Sequence, residues 1–251
     1  MARLLRACGS LLARYLDAPV RGYAAPGLVS VEELAATLRP CDVLLVEGDR
    51  RISVAIKYLT QSTWSHAALF VGEIPDDPLG AGPRLVEADL TRGVRVAPLG
   101  EVAGLHVRIC RPVGLSEADR ARVIAYARAR VGHRYDLKNI WDLARYLLPT
   151  PPVPARWRRR LLALGSGDPS RAICSTMIAQ AFQSVRYPIL PVVERVPAAR
   201  DGCDDCVREI LHIRHHSLFA PRDFDISPYF EIVKPRLAMG FDYGRMDWSS
   251  E

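Results

Sequence analysis

The chain of 251 residues contains no apolar run that approaches the roughly 20 residues needed to span a bilayer. It shows no internal repeat and no recognisable nucleic-acid-binding motif. The N-terminus carries arginines without a sustained apolar core, which makes it a poor candidate for a signal peptide. These absences argue against a membrane-spanning protein and lead us to expect no nucleic-acid partner.

The cysteines of the chain are irregularly spaced. The six cysteines are Cys8, Cys41, Cys110, Cys174, Cys203 and Cys206. Their spacing is not that of a disulfide framework, and a chain of this length does not need one. We therefore expect a reducing compartment and predict a cytoplasmic protein.

What is present is typical of a folded protein with an anionic partner. Hydrophobic residues make up 49% of the chain, charged residues 25%, and the net charge is +6. Residues 1–17 and 155–164 are basic and amphipathic, so either segment could lie on an anionic membrane surface. The alternatives are a helix docked on its own domain and a solvated helix face. We expect peripheral membrane contact at most.

Two segments far apart in the chain carry the residues of a cysteine enzyme. Cys174 begins an apolar helix predicted over residues 172–185, where unpaired backbone N–H groups favour a thiolate. His66 stands at the mouth of an apolar strand, and an imidazole is the usual base for a thiol nucleophile. Taken alone, each residue could equally be structural. Together they suggest a cysteine enzyme in which the histidine precedes the cysteine, the reverse of the common papain-type order.

Glu87 lies within a short apolar strand, where an acid is costly unless it is paired. A hydrogen bond to His66 would provide that pairing and would fix the imidazole tautomer. The alternative is a glutamate on the solvent face of an alternating strand. From the residues alone both interpretations stay open, and the first would make Glu87 the third member of a triad.

The order of five short motifs resembles that of the NlpC-type papain-like peptidases with the two halves of the domain exchanged. The motifs lie at residues 39–45, 65–72, 86–99, 131–136 and 173–175, and residues 221–233 resemble the proline-led strand that closes these domains. This order resembles the circularly permuted branch, which includes the YiiX-like proteins and the lecithin retinol acyltransferase group. The resemblance implies an α+β papain-like fold, with an antiparallel sheet or small barrel packed against helices.

The resemblance also implies roles for matching residues. Cys174 would be the nucleophile, His66 the base and Glu87 the residue that orients the base. Tyr135 matches a tyrosine near the thiol in relatives, so it would hold the oxyanion together with the backbone N–H of Cys174. His106 and His133 are the competitors for the role of His66.

The resemblance divides the chain and marks its departures. We predict an N-terminal helix and linker at residues 1–37, a catalytic domain at 38–235 and a tail at 236–251. Residues 149–167, rich in proline and arginine, are an insert outside the shared pattern. Cys41 stands where relatives usually have a glycine before the aspartate.

A metal site is a weaker alternative outside these motifs. Its candidate ligands are Cys203, Cys206, His212 and His216. Cysteine and histidine are the residue types that zinc prefers, but the gap between them is shorter than in common zinc fingers. We therefore predict an exposed loop here, with no metal and no cofactor.

The expected function is cysteine-dependent hydrolysis of an amide or ester through a thioester. The substrate would be a small molecule, a peptide, or a lipid-linked or cell-wall-type compound. Two alternatives stay open: a thiol acyltransferase acting on lipid, and an inactive membrane-associated binding domain that keeps the fold.

Overall fold

The computed structural model describes residues 18–19, 29–89, 92–133, 173–197 and 207–245. Its helices are α1 (Val31–Thr37), α2 (Arg51–Thr60), α3 (Glu117–Arg128), α4 (Ile173–Gln183), α5 (Arg222–Asp225) and α6 (Pro235–Ala238). Its strands are β1 (Val43–Glu47), β2 (His66–Glu73), β3 (Pro83–Asp89), β4 (Gly93–Pro98), β5 (His106–Pro112), β6 (Val192–Pro197), β7 (Val207–His212) and β8 (Phe230–Val233). Short 3-10 helices cover Leu99–Val102, His216–Leu218 and Tyr243–Arg245.

Six strands form one antiparallel sheet in the order β4-β3-β2-β1-β5-β8. Because neighbouring strands β2, β3 and β4 follow one another in the chain, hairpin connections bring their polar residues together. Helices pack against this sheet, so the predicted α+β class with an antiparallel sheet is confirmed. Among the described residues, no helix combines the length and apolar character that crossing a bilayer requires.

The sheet is buried on both faces, with different partners. Along β1, Val43 and Leu45 belong to the apolar cluster that includes Phe182 of α4. Leu44 belongs to the opposite cluster, which includes Leu34 of α1. This alternation follows from the two-residue period of a strand and explains why β1 is an unbroken apolar run. Helix α4 therefore packs on the face of the sheet that carries Val43 and Leu45.

Asp42, in the first of the five motifs, anchors β1 to β5. Its carboxylate accepts hydrogen bonds from Arg111 Nε at 3.0 Å and Arg111 Nη2 at 2.7 Å, and from the backbone N–H of Arg39 at 2.8 Å. Asp42 is fully buried, and a buried carboxylate is tolerated when it is paired and hydrogen bonded in this way. The aspartate of the motif is thus structural.

Two sequence-based expectations need correction. Residues 207–212 are strand β7, paired with β6 in a two-stranded sheet, and are not part of an exposed loop. The sequence predicts a closing strand over residues 221–233, but only Phe230–Val233 (β8) is a strand. Pro221 comes directly before the helical turn α5. The β-branched residues of β6 were the available signal for the hairpin.

Cys41 has a backbone conformation that favours glycine, the residue that the resemblance leads us to expect at this position. Its backbone has φ +74°, in the left-handed region that glycine adopts without strain. Its thiol is buried and donates to the carbonyl of Arg120 at 3.3 Å, and burial raises the pKa of this thiol to about 12.

We expect Cys41→Gly to change the free energy of unfolding by less than about 1 kcal/mol, because relief of strain offsets the lost burial. Cys41→Val should lower it by about 2–3 kcal/mol, because a β-branched residue is poorly tolerated at positive φ. Urea unfolding of both variants measures the difference. Equal destabilisation by glycine and valine would contradict this account.

Candidate active site

His66 is the first residue of β2 and lies opposite Val46 of β1. The turn before it is fixed by Ser65, whose backbone N–H donates to the carbonyl of Val46 at 3.1 Å. The Ser65 hydroxyl accepts from the backbone N–H of Gly48 at 2.9 Å. A Cβ on Gly48 would lie 2.3 Å from the Ser53 hydroxyl oxygen, so this close approach requires glycine. These contacts fix the backbone at the start of β2, which carries the His66 imidazole.

Trp64 holds the same turn from the other side. Its indole N–H donates to Asp225 Oδ2 at 2.9 Å, and the guanidinium of Arg108 lies 4.9 Å from the centre of the indole ring. Arg108 in turn donates to both carboxylate oxygens of Asp225, at 2.7 and 2.9 Å. Trp64 is buried, so this network ties the approach to His66 to the end of α5.

Glu87 lies on β3, and it contacts His66 diagonally on the neighbouring strand β2. Ala68 is paired with Glu87, and His66 lies two residues before Ala68, on the same face of the sheet. His66 Nε2 is 2.7 Å from Glu87 Oε2. An ionised carboxylate only accepts, so the imidazole donates here and Nδ1 is the nitrogen left for another partner.

Arg95 of β4 contacts the other oxygen of Glu87. The two residues are paired across the β3–β4 hairpin, and Arg95 Nη2 lies 2.5 Å from Glu87 Oε1. Glu101, in the 3-10 helix after β4, accepts from Arg95 Nη1 at 2.9 Å and also contacts Nη2. His66, Glu87, Arg95 and Glu101 thus form a row of alternating charge.

Cys174 is the second residue of α4, which packs against β2 and β3. Met177, Ile178 and Phe182 bury the inner face of this helix in the core. The Ser175 hydroxyl donates to the carbonyl of Phe219 at 2.7 Å, which fixes the first turn. Cys174 is 4% exposed, and it lies close enough to His66 for its charge and hydrogen bonding to raise the pKa of that imidazole. The structure therefore brings together Cys174, His66 and Glu87.

The charges of the site reinforce one another. Burial lowers the pKa of His66, but the charges of Cys174 and Glu87 and their hydrogen bonds raise it well above the ordinary 6.5. Burial raises the pKa of Glu87, but His66 and Arg95 outweigh this effect and hold that pKa at about 2. Glu87 is therefore ionised at neutral pH, and its charge stabilises the imidazolium form of His66. An imidazolium beside a cysteine favours the thiolate form.

The comparison with protein families bears on the part of the chain that carries His66 and Glu87. The sequence profile of the permuted papain-like amidase enzymes (YaeF/YiiX, C92 family) matches residues 37–147. The resemblance to the circularly permuted papain-like proteins of the YiiX type is confirmed. The described activity of this family supports a cysteine hydrolase in general terms.

Among solved structures, the metalloprotein yiiX from Escherichia coli O157:H7 is similar to this chain, with a TM-score of 0.46 and 14% sequence identity. The similarity covers 78% of this chain and 96% of yiiX. No curated protein matches the sequence. The match to the permuted papain-like family ends before Cys174, so the thiol is identified by its contact with His66 alone.

The other residues that the sequence suggests for the site either lie outside the described residues or have different contacts. Tyr135, Cys203 and Cys206 lie outside the described residues, as do residues 1–17 and 155–164. His106, the competitor of His66, is 3.1 Å from Glu47 and stacks on Trp64 with ring centres 5.0 Å apart. His133 is an exposed residue whose carbonyl accepts from the backbone N–H of Val94 at 2.9 Å.

The remaining candidate metal ligands make contacts of a different kind. His212 Nε2 is 2.7 Å from Glu194 Oε2 on the exposed surface of the β6–β7 hairpin. His216 stacks on His215 with ring centres 4.0 Å apart. Within the ranges given above, no group of three or more histidine, cysteine or acidic residues is arranged to hold a metal ion.

Sequence reasoning missed Arg95, although a signal was present. Asp89 and Gly93 close the β3–β4 hairpin, and two steps back from each end lie Glu87 and Arg95. A charged residue at each of these positions, in strands that are otherwise mostly apolar, predicts a cross-strand ion pair. Predicting this ion pair requires the register of β3 against β4, which the turn residues Asp89 and Gly93 indicate.

Proposed function

We propose that this protein is a cysteine hydrolase that cleaves an amide or ester bond through a thioester. Cys174 is the nucleophile, His66 is the base that takes its proton, and Glu87 orients and charges the imidazole. The observation that carries the proposal is the contact of His66 Nε2 with the Glu87 carboxylate at 2.7 Å, together with the effect of Cys174 on the pKa of the same ring.

The acylation half of the reaction uses the thiolate and the imidazolium together. The sulfur attacks the carbonyl carbon, and the carbonyl oxygen becomes an oxyanion. The backbone N–H of Cys174 and the hydroxyl of Tyr135 are the proposed donors to this oxyanion. The intermediate collapses when His66 gives its proton to the leaving amine or alcohol, so that a thioester forms on Cys174.

The second half returns the enzyme to its starting state. Neutral His66 takes a proton from water, the hydroxide attacks the thioester carbonyl, and the carboxylic acid leaves as the thiolate is restored. We propose water as the acceptor because the matched family is described as an amidase. We further propose a lipid-linked or cell-wall-type substrate, since a net charge of +6 favours anionic compounds and surfaces.

Alkylation by iodoacetamide at neutral pH, followed by mass spectrometry of each cysteine peptide, tests the thiol and its base. Cys174 should react at least about tenfold faster in the wild type than in His66→Ala, because the imidazolium maintains the thiolate. Cys41 and Cys110 should react slowly in both proteins, since burial raises the pKa of each thiol.

His106→Gln is the matched control, because His106 is also bonded to a carboxylate but lies against Glu47 and Trp64. We expect its Cys174 to react within about threefold of the wild-type rate. Equal reactivity of Cys174 in the wild type and His66→Ala would refute the proposed pair and favour a binding domain that keeps the fold.

A further inference from the structure

Arg95 contacts the Glu87 oxygen that His66 does not use, and its guanidinium also contacts a second carboxylate, that of Glu101. Nη2 contacts both Glu87 and Glu101, and Nη1 donates to Glu101 at 2.9 Å. The Arg95 side chain is 20% exposed and that of Glu87 only 10%, so their ion pair is shielded from water. A shielded pair is electrostatically stronger than one on the surface.

The two oxygens of Glu87 serve different cations. Oε2 accepts from His66 at 2.7 Å, and Oε1 accepts from Arg95 at 2.5 Å. The negative charge of this one carboxylate is therefore shared between an imidazolium and a guanidinium. Each cation weakens the hold of the carboxylate on the other, because both compete for the same charge.

This competition matters for the proposed reaction. His66 must release its proton to the leaving group, and an imidazolium held too firmly is a poor acid. Among the described residues, the charged groups that act on His66 are Cys174 and Glu87, and both stabilise the imidazolium. Among the described charges, Arg95 is the cation that acts on Glu87 from the opposite side.

We infer that Arg95 is a positioning residue that shares the charge of Glu87 with His66 and so leaves His66 able to release its proton. This inference rests on the proposed function. Glu101 sets how much of the Arg95 charge reaches Glu87, because it contacts both terminal nitrogens of the guanidinium. The exposed Arg92 also influences Glu101, but more weakly than Arg95 does.

An NMR titration of the His66 ring in the full chain measures this directly. In Arg95→Met the pKa of His66 should rise by about half a unit to one unit, because Glu87 then has His66 as its main cationic partner. Cleavage of ethyl acetate, whose leaving alcohol needs the proton of His66, should slow about tenfold to a hundredfold. An unchanged or lowered pKa of His66 would overturn the inference.

Two further variants separate charge from packing. Arg95→Lys keeps the charge without the planar fork, so it should restore the pKa of His66 but only part of the rate. Glu101→Gln removes the competing carboxylate and should lower the pKa of His66, opposite in sign to Arg95→Met. Because the Glu101 side chain is 44% exposed, this variant should fold even where Arg95→Met does not.

Arg92→Gln is the matched control, since it removes a nearby exposed arginine that makes no described contact with Glu87. Its His66 pKa and rate should equal those of the wild type. A shift in Arg92→Gln as large as in Arg95→Met would overturn the inference by showing a diffuse charge effect. Failure of the proposed function gives a distinct result, because Cys174 would then react equally in wild type and His66→Ala whatever residue stands at position 95.

Discussion

Replacing Cys174 with alanine should reduce the steady-state hydrolysis of p-nitrophenyl acetate by at least about a thousandfold, because removal of the nucleophile leaves only binding and oxyanion stabilisation. Cys174 is the described thiol whose charge and hydrogen bonding raise the pKa of His66. The buried thiols Cys41 and Cys110 have raised pKa values through burial and are poor substitutes. The rate of p-nitrophenolate release measures the loss.

The mass of the trapped enzyme tests the thioester itself. During turnover the acetyl group should appear on the peptide that contains Cys174, as p-nitrophenolate leaves. Cys174→Ser should also be nearly inactive, because a hydroxyl beside His66 is a much weaker nucleophile than a thiolate. An acetyl group found on another residue at the same rate would contradict the assignment of Cys174.

Cys41→Gly is the matched control for this experiment. It also removes a free cysteine, but one that lies next to Asp42 and Arg120, away from His66. Its hydrolysis rate should stay within about twofold of the wild-type rate, since additivity holds for distant sites. If Cys174→Ala hydrolysed the ester as fast as Cys41→Gly does, the proposed nucleophile would be wrong.

The strands that carry the site could be predicted from local pattern. His66 and Glu87 each lie in a short apolar run bounded by turn residues, and the structure has β2 and β3 at those places. Their contact could only be suggested, because it depends on which residues face each other. The pairing of Ala68 with Glu87 places them on one face, and a shift of one residue would separate them.

The contact between His66 and Cys174 could not be predicted from local pattern at all. The two residues are 108 positions apart (174 minus 66). Local propensity does not predict contacts between residues so distant in sequence. The permuted order of the motifs provided the prediction, because it implied a fold that joins the late helix to the early strand. The structure adds the reason: α4 packs across β2 and β3, which carry His66 and Glu87.

Replacing Glu87 with glutamine should lower the free energy of unfolding by about 3–5 kcal/mol near pH 6, because it removes one partner of a buried ion pair. Hydrolysis should fall by about a hundredfold to ten-thousandfold, since a neutral amide neither stabilises the imidazolium nor fixes its tautomer. Among the residues that the structure describes, Arg95 would then keep Glu101 as its anionic partner.

The two pKa shifts set the pH range of this stabilisation. The pKa of Glu87 is depressed to about 2, so its contribution is present above the unfolded value near 4.5 and is lost as the pH falls. The pKa of His66 is raised, so its contribution is full below 6.5 and is lost as the pH rises through the folded value. Wild type and Glu87→Gln should therefore differ most between about pH 4.5 and 6.5.

Urea unfolding at about pH 3, 5.5 and 8.5 measures this window. Glu47→Gln is the matched control, because Glu47 also pairs with a histidine, His106, on neighbouring strands of the same sheet. It should cost some stability yet leave the hydrolysis rate within about threefold of wild type, since Glu47 does not contact His66 or Cys174. Equal loss of activity in Glu47→Gln and Glu87→Gln would mean that the carboxylates act only on the fold, and Glu87 would then have no place in the mechanism.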